Sequence, residues 1–199
     1  MISVVEAPVR AQSDVPRRKL WTRDECARLA TLFNLDRYEL IEGELIEKVS
    51  KNYPHITGVL LLVEWLRLTF PSRNVVQEAS IDVSAEDNPT SEPEPDAVVL
   101  RQSILELARR PSPEDVLLVA EVSVSTLAFD SGPKRDLYAR AGIPEYWVLD
   151  IENRRTIVHR DPAGGEYRSV TSYGEDESVA PLAAPEAAFS FARVMAAAE

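Results

Sequence analysis

Two carboxylic acids and a lysine stand beside short apolar runs of this sequence. Asp96 directly precedes the run Ala97–Leu100, and Glu121 ends the apolar run 116–120. Short runs of Val, Leu and Ala predict strands that are buried on both faces, where a lone carboxylate is costly to place. Lys134 follows within a predicted helix and supplies a nearby cation. The pattern therefore predicts a small metal-ion site rather than unrelated surface charges.

The composition is that of one soluble globular domain. The chain has 199 residues, of which 45% are hydrophobic and 28% charged, and this suffices for a single core. We expect residues 1–19 to form a polar, partly ordered lead-in and residues 20–195 to form the domain. No apolar run approaches the roughly 20 residues that span a bilayer, so no membrane association is expected. The single Cys26 permits no internal disulfide and favours a reducing cytoplasm.

The net charge of -11 argues against a protein that coats nucleic acid non-specifically. It does not exclude a nuclease, because metal-dependent phosphodiesterase sites are themselves acidic. Basic pairs at 109–110, 134–135 and 154–155 are candidates for a local basic rim, although a solvated surface is the simpler interpretation of each. Only two histidines are present, far apart in the sequence, so a His-rich zinc site is not expected.

The elements that would position the acids begin with a capped helix and a hairpin. Thr22 predicts the N-cap of the first helix. A turn at 42–43 predicts a hairpin of two short strands. A longer helix is predicted over 54–70, because its apolar residues recur at three- and four-residue spacing. These residues are Ile56, Val59, Leu60, Val63 and Leu66.

Three strands are predicted in the middle of the chain, at 75–83, 96–100 and 116–122. The second and third of them carry the two acids at one end. The segment 84–95 is rich in acids, Pro, Ser and Asn, and it is predicted to be an exposed turn. Shorter elements are a helix at 103–109, a hairpin around 164–165 and a partly helical tail over 181–199.

A further helix is predicted to start at 130–133, with Asp130 as its cap, and to end at Gly142. Lys134 would then lie in the first turn, at the unfavourable positive end of the helix dipole unless an anion compensates it. The strand 144–150 that follows implies a right-handed parallel crossover from the preceding strand. We therefore predict a mixed sheet in an α/β fold with α+β character.

Several motifs occur in a specific order along the chain. They are Tyr38-Glu39-Leu40-Ile41-Glu42-Gly43, Pro95-Asp96, Glu121-Val122-Ser123-Val124-Ser125-Thr126, Asp130…Lys134…Tyr138 and Gly142-Ile143-Pro144-Glu145-Tyr146-Trp147-Val148-Leu149-Asp150. In this order they resemble the Uma-type restriction endonuclease family of the PD-(D/E)XK nuclease superfamily, over residues 20–195. The resemblance implies a restriction-endonuclease-like mixed β-sheet flanked by helices, with an added N-terminal helix and hairpin.

The resemblance also implies roles for individual residues. In the superfamily, an Asp on one strand and a Glu on the next bind a divalent metal, which assigns Asp96 and Glu121 as metal ligands and catalytic residues. In the superfamily, a lysine two residues after the Glu interacts with the attacking water. This sequence has Ser123 at that position, which lies on the same strand face as Glu121 but carries no charge. We expect Lys134 to replace that lysine from the following helix, although a surface lysine is the simpler alternative.

Other candidate residues have weaker assignments. Glu39 could approach the metal through water or be an exposed hairpin acid. His55 could contact the site or a phosphate, or have no role at the start of its helix. Tyr138 is expected to pack over the lysine stem. Tyr146 and Trp147 are expected to be sheet residues, one facing inward and one outward.

The expected activity is Mg²⁺-dependent endonucleolytic hydrolysis of DNA, with Mn²⁺ able to substitute. Hard carboxylate oxygens suit both cations, and phosphodiester hydrolysis needs an activated water and neutralised phosphate charge. Two other classes stay open: a non-catalytic nucleic-acid- or protein-binding module that retains the fold, which Ser123 favours, and a hydrolase of another phosphate ester. We expect a homodimer, because cleavage of both strands needs two sites or two passes and closed twofold pairing is common.

Overall fold

The computed structural model describes residues 18–35, 37–48 and 52–195. Only the last two residues of the predicted lead-in 1–19 fall within these ranges, and the last four residues of the predicted tail lie outside them. Within the described ranges, no helix combines the length and the apolar character needed to cross a membrane.

The N-terminal elements agree with the sequence prediction. Helix α1 (Arg23–Ala30) has Thr22 as its N-cap, as predicted. Strands β1 (Tyr38–Ile41) and β2 (Glu44–Glu47) form an antiparallel hairpin. Both residues of its turn have positive φ, the backbone of a tight primed turn. The hairpin carries Glu39 on its first strand.

Helix α2 (Tyr53–Thr69) has the predicted length but a different buried face. Leu60 is 62% exposed and Ile56 is 50% exposed, whereas Leu61 and Leu62 are buried. The prediction that Leu60 and Ile56 belong to the buried stripe is therefore wrong. The run of apolar residues is continuous through this part of the helix, so its periodicity does not define which face meets the core.

A six-stranded sheet forms the centre of the fold. Its strands are β3 (Val75–Gln77), β4 (Ala97–Leu100), β5 (Val116–Ser123), β6 (Glu145–Asp150), β7 (Arg155–Ala163) and β8 (Glu166–Tyr173). They lie in the order β3-β4-β5-β6-β7-β8, and each neighbouring pair is antiparallel except β5 and β6, which are parallel. The mixed sheet and the parallel crossover are as predicted, and the turn of the β7–β8 hairpin falls at the predicted glycines.

The predicted strand 75–83 is shorter than expected. Glu78 adopts a positive φ of 50°, which ends the ladder and directs the chain out of the sheet. The segment 84–95 is not a simple exposed turn, because Ser91 is fully buried and its hydroxyl accepts a hydrogen bond from the Glu42 N–H at 3.0 Å. It therefore packs against the β1–β2 hairpin.

Short helices follow β4 and β5. Helix α3 (Ile104–Leu107) lies within the predicted range. After β5, the chain forms α4 (Leu127–Phe129), a π-helical turn (Asp130–Lys134) and α5 (Arg135–Arg140) without interruption. This helical segment begins at Leu127, with Thr126 as its N-cap, so the predicted start at the Asp-Ser-Gly-Pro sequence is wrong.

Pro133 lies inside that helical segment and explains its π-helical turn. Proline has no N–H to donate to the carbonyl four residues earlier, and the helix widens there to bonds that span five residues. Asp130 is therefore not a helix cap, which corrects the sequence prediction. Lys134 is not in a first turn either, so the argument from the helix dipole does not apply to it.

Helices cover both faces of the sheet. The C-terminal part of the chain forms strands β9 (Ser178–Val179) and β10 (Phe189–Ser190) and helix α6 (Phe191–Met195). On one face of the sheet, α2 and α6 pack in the same core cluster as Trp147. On the other face α5 packs on Tyr146. Tyr146 and Trp147 are both fully buried, so the prediction that one of them faces outward is wrong.

Candidate active site

Asp96 and Glu121 meet where β4 and β5 run side by side. The antiparallel register pairs Ala97 with Ala120. Asp96 directly precedes Ala97 and Glu121 directly follows Ala120, so the two acids lie side by side at the same edge of the strand pair. The Val122 N–H donates to Asp96 Oδ2 at 2.7 Å, and the Asp96 N–H donates to Glu121 Oε2 at 3.3 Å. The Glu121 side chain is almost fully buried, whereas Asp96 keeps 13% of its side chain exposed. Strand pairing thus brings together the two predicted metal ligands.

A glycine lets helix α2 approach this pair. A Cβ atom at Gly58 would lie 2.8 Å from Val122 Cγ1 and 3.2 Å from Ile151 Cδ1, so a larger residue would push the helix from the sheet. The first turn of the same helix carries His55, whose Nε2 is 3.3 Å from Asp96 Oδ2. The structure therefore places His55 beside the site, and its accessory role stays a prediction.

The ammonium of Lys134 lies between two buried carboxylates. Its Nζ donates to Glu121 Oε1 at 2.8 Å and is 3.0 Å from Glu39 Oε1. Tyr138, about one turn later, donates its hydroxyl to the same Glu121 oxygen at 3.1 Å, so it contacts the acid directly. Burial, together with the nearby acids, raises the pKa of Tyr138 well above its usual range and keeps this hydroxyl protonated. The lysine thus reaches the acids from the helical segment.

Glu39 is a member of this cluster and not an exposed hairpin acid. Its Oε2 accepts a hydrogen bond from the Glu94 N–H at 3.2 Å, while its other oxygen faces Lys134. The hairpin is held in place by the Glu92 N–H, which donates to the Leu40 carbonyl at 2.6 Å. Docking of β1 on the segment before β4 therefore positions this acid.

A chain of hydroxyl groups links the end of β5 to the helical segment. The Oγ atoms of Ser123 and Thr126 are 3.2 Å apart, and Thr126 donates to Asp130 Oδ2 at 2.6 Å. Asp130 is buried and borders a cleft together with Asp96 and Glu121. Its backbone carbonyl accepts a hydrogen bond from the Tyr146 hydroxyl at 2.9 Å. Sequence reasoning missed Asp130 as a site residue, although its spacing of four from Lys134 was an available signal. Ser123 takes part in this chain of hydroxyl groups through its contact with Thr126, and its accessory role stays a prediction.

Acids outnumber cations in the buried part of the site. Burial raises the pKa of Glu121 well above its usual range. The positive charge of Lys134 opposes this increase, whereas the other carboxylates nearby add to it. Burial also raises the pKa of Asp130. Burial opposes the charged form of Lys134, but three neighbouring carboxylates outweigh it and raise the lysine pKa well above its usual value. Lys134 therefore stays protonated, and the buried acids favour their protonated forms unless a further cation, such as a divalent metal ion, offsets their charge.

The acids border a cleft of about 430 Å³ between the β1–β2 hairpin, the start of α2 and the loop after β5. In the described part of the chain, no group of three or more His, Cys, Asp or Glu side chains is arranged to hold a metal ion by itself. Magnesium, however, commonly uses one or two carboxylates and completes its shell with water and phosphate oxygens. Asp96 and Glu121 therefore fit a hard divalent cation as a donor pair.

Comparison with solved structures defines the fold class. The chain is similar to the crystal structure of a protein from Anabaena variabilis described as "a putative nuclease belonging to DUF820", with a TM-score of 0.64 and 18% identity. The alignment covers 88% of this chain and 97% of that one, which confirms the predicted mixed sheet flanked by helices. The chain belongs to the Uma2 family, described as "Putative restriction endonuclease", which matches residues 23–193. No functionally curated protein matches it.

Proposed function

We propose that this chain is a Mg²⁺-dependent endonuclease that hydrolyses phosphodiester bonds of DNA, with Mn²⁺ able to substitute. The observation that carries the proposal is the convergence of Asp96, Glu121 and Lys134 at one cleft. The description of the family, and that of the Anabaena variabilis protein, support nuclease activity in general.

Asp96 and Glu121 are the residues that would hold the cation. Bound Mg²⁺ would supply charge neutralisation at the phosphate and a lowered pKa for a coordinated water. The Val122 N–H orients one carboxylate and the Asp96 N–H orients the other, so both are positioned by backbone contacts. Such hydrogen bonds to metal ligands reduce the freedom of the ligands and favour binding.

Lys134 would orient the attacking water and stabilise charge on the phosphate oxygens. A protonated amine can donate a hydrogen bond to water or phosphate, but it cannot accept the proton that the water loses. Its position is fixed by Glu121 and Glu39, which compensate its charge in a buried setting. A preorganised positive charge of this kind contributes most where charge develops during the reaction.

A non-catalytic binding module with the same fold is the alternative. Ser123, at the usual lysine position, is the feature that favours it. The ammonium of Lys134 beside Glu121 supports the catalytic proposal instead, because the missing charge is supplied from another element.

Cleavage of a labelled DNA oligonucleotide tests the proposal. We expect cleavage with Mg²⁺ or Mn²⁺ and none with EDTA. Asp96→Asn, Glu121→Gln and Lys134→Met should each reduce the rate by about 100-fold or more. Glu152→Gln, which changes an exposed acid in the turn after β6, is the matched control and should cleave normally. Cleavage that persists in EDTA, or that is not reduced in the site variants, would contradict the proposal. DNA binding without cleavage would favour the binding module.

The proposal includes a cytoplasmic homodimer. Helix α2 carries exposed apolar side chains on its outer side, with Tyr53 81%, Leu60 62% and Leu68 83% exposed, and such a surface supports self-association. Among the described residues, strand β8 is also the last strand at its side of the sheet, and an edge strand of this kind can pair with another chain. Light scattering should give twice the chain mass of 22.2 kDa, and a mass of one chain at micromolar concentration would contradict the dimer.

A further inference from the structure

The cleft is larger than the cation chemistry alone requires. Its volume is about 430 Å³. A cation with a shell of about six waters takes up roughly 180 Å³, since each water accounts for about 30 Å³ of liquid. More than half of the space therefore remains for another part of a substrate.

The remaining lining includes side chains that can bind neither a cation nor a phosphate. Ile46 from β2 and Val124, Ala128 and Phe129 from the segment after β5 all border the cleft. Ile46 and Phe129 pack against the same small buried cluster, so this apolar part is continuous and supported from behind. An apolar surface next to a charged site is suited to an uncharged, flat group such as a nucleobase.

A base inside a duplex cannot reach the apolar lining of this cleft. The bases of a duplex are stacked and paired, and only the sugar-phosphate backbone lies outermost. A base can enter beside the acids when the nucleotide is unstacked, as in a single strand or a flipped-out position. We propose that this cleft binds one unstacked nucleoside next to the cleaved bond, so that the enzyme prefers single-stranded DNA to duplex DNA.

This inference rests on the proposed nuclease function but can fail or succeed separately from it. Binding of a fluorescent oligonucleotide, alone or annealed to its complement, is measured by anisotropy in Ca²⁺, which also takes carboxylate ligands. We expect at least about tenfold tighter binding of the single strand, because the duplex must first unstack a base. Cleavage rates in Mn²⁺ should show the same preference.

A variant that fills the apolar part of the cleft provides the specific control. Ala128 is exposed at the cleft, and Ala128→Trp should weaken binding of the single strand about fivefold or more. Leu105→Trp, at a 71% exposed position on α3 outside the cleft lining, should leave it unchanged. Equal or tighter duplex binding, no binding of either form, or an Ala128→Trp variant that binds normally would overturn the inference. Selective single-strand binding without cleavage under any cation would refute the nuclease proposal and leave this inference standing.

Discussion

Replacing Lys134 with methionine should destabilise the fold, and it should do so most at alkaline pH. Methionine keeps much of the apolar stem but removes the ammonium that pairs with Glu121 and Glu39. The three side chains are at most 9% exposed, so water cannot replace the lost cation without rearrangement. The variant therefore leaves two buried carboxylates without their counter-charge.

The size of the effect follows from the burial of the pair. Removing one partner of a buried ion pair typically costs about 3–5 kcal/mol, because the remaining charge is uncompensated. In a domain of this size each kcal/mol lowers Tm by about 2–4 °C, so we expect a decrease of roughly 6–20 °C at pH 8. At pH 5 the acids can take up a proton, which removes part of the penalty and makes the decrease smaller.

Thermal unfolding followed by circular dichroism in EDTA at pH 5 and pH 8 measures this difference. Lys48→Met is the matched control, because Lys48 pairs with Glu94 at the rim of the same cleft but has 25% of its side chain exposed. Its loss should cost no more than about 1 kcal/mol. Equal decreases for the two variants, or a Lys134→Met effect that is the same at both pH values, would refute the view that Lys134 is the buried counter-charge.

Four further predictions concern the site and the core. The raised pKa of Glu121 means that the folded state binds this proton more tightly than the unfolded chain, so in EDTA the free energy of unfolding should decrease as the pH rises above about 4.5. Mn²⁺ should raise Tm more at pH 8 than at pH 5, and Glu121→Gln should lose this difference; an equal Mn²⁺ effect at both pH values would contradict it. Thr126→Val removes the donor to Asp130 and should cost about 1–3 kcal/mol and slow cleavage about tenfold, whereas Thr126→Ser should retain both properties in urea unfolding and cleavage assays. Burial lowers the pKa of His159 to about 4, so its contribution to stability is present above pH 6.5 and lost as the pH falls toward 4, and His159→Phe should reduce the acid sensitivity of Tm.

The pairing of Asp96 with Glu121 was accessible from the sequence because it depends on local patterns. Each acid adjoins a short apolar run, and consecutive strands in a sheet are usually neighbours. The sequence also indicates that Lys134 faces the acids, because the family resemblance requires a lysine and Ser123 stands in its place, whereas the supporting argument from the helix dipole is wrong. The helix dipole does not contribute, since the helical segment begins at Leu127, seven positions before Lys134, and widens at Pro133.

The remaining features of the site depend on tertiary packing. Glu39 faces Lys134 because the hairpin docks on the segment before β4, a contact between parts of the chain about fifty residues apart. Asp130 looked like a helix cap because a proline followed it, and only the π-helical turn places it inside the helical segment. Propensity and periodicity contain no information on such contacts, just as they could not distinguish Leu60 from its buried neighbours in α2.

Anomalous diffraction from a crystal soaked in Mn²⁺ locates the metal site of this protein directly. We expect one strong peak within about 2.0–2.4 Å of a carboxylate oxygen of Asp96 and of a carboxylate oxygen of Glu121. The ammonium of Lys134 should remain close to the same acids. A peak elsewhere on the protein, or no peak at saturating Mn²⁺, would contradict the assignment of these two acids as the metal site.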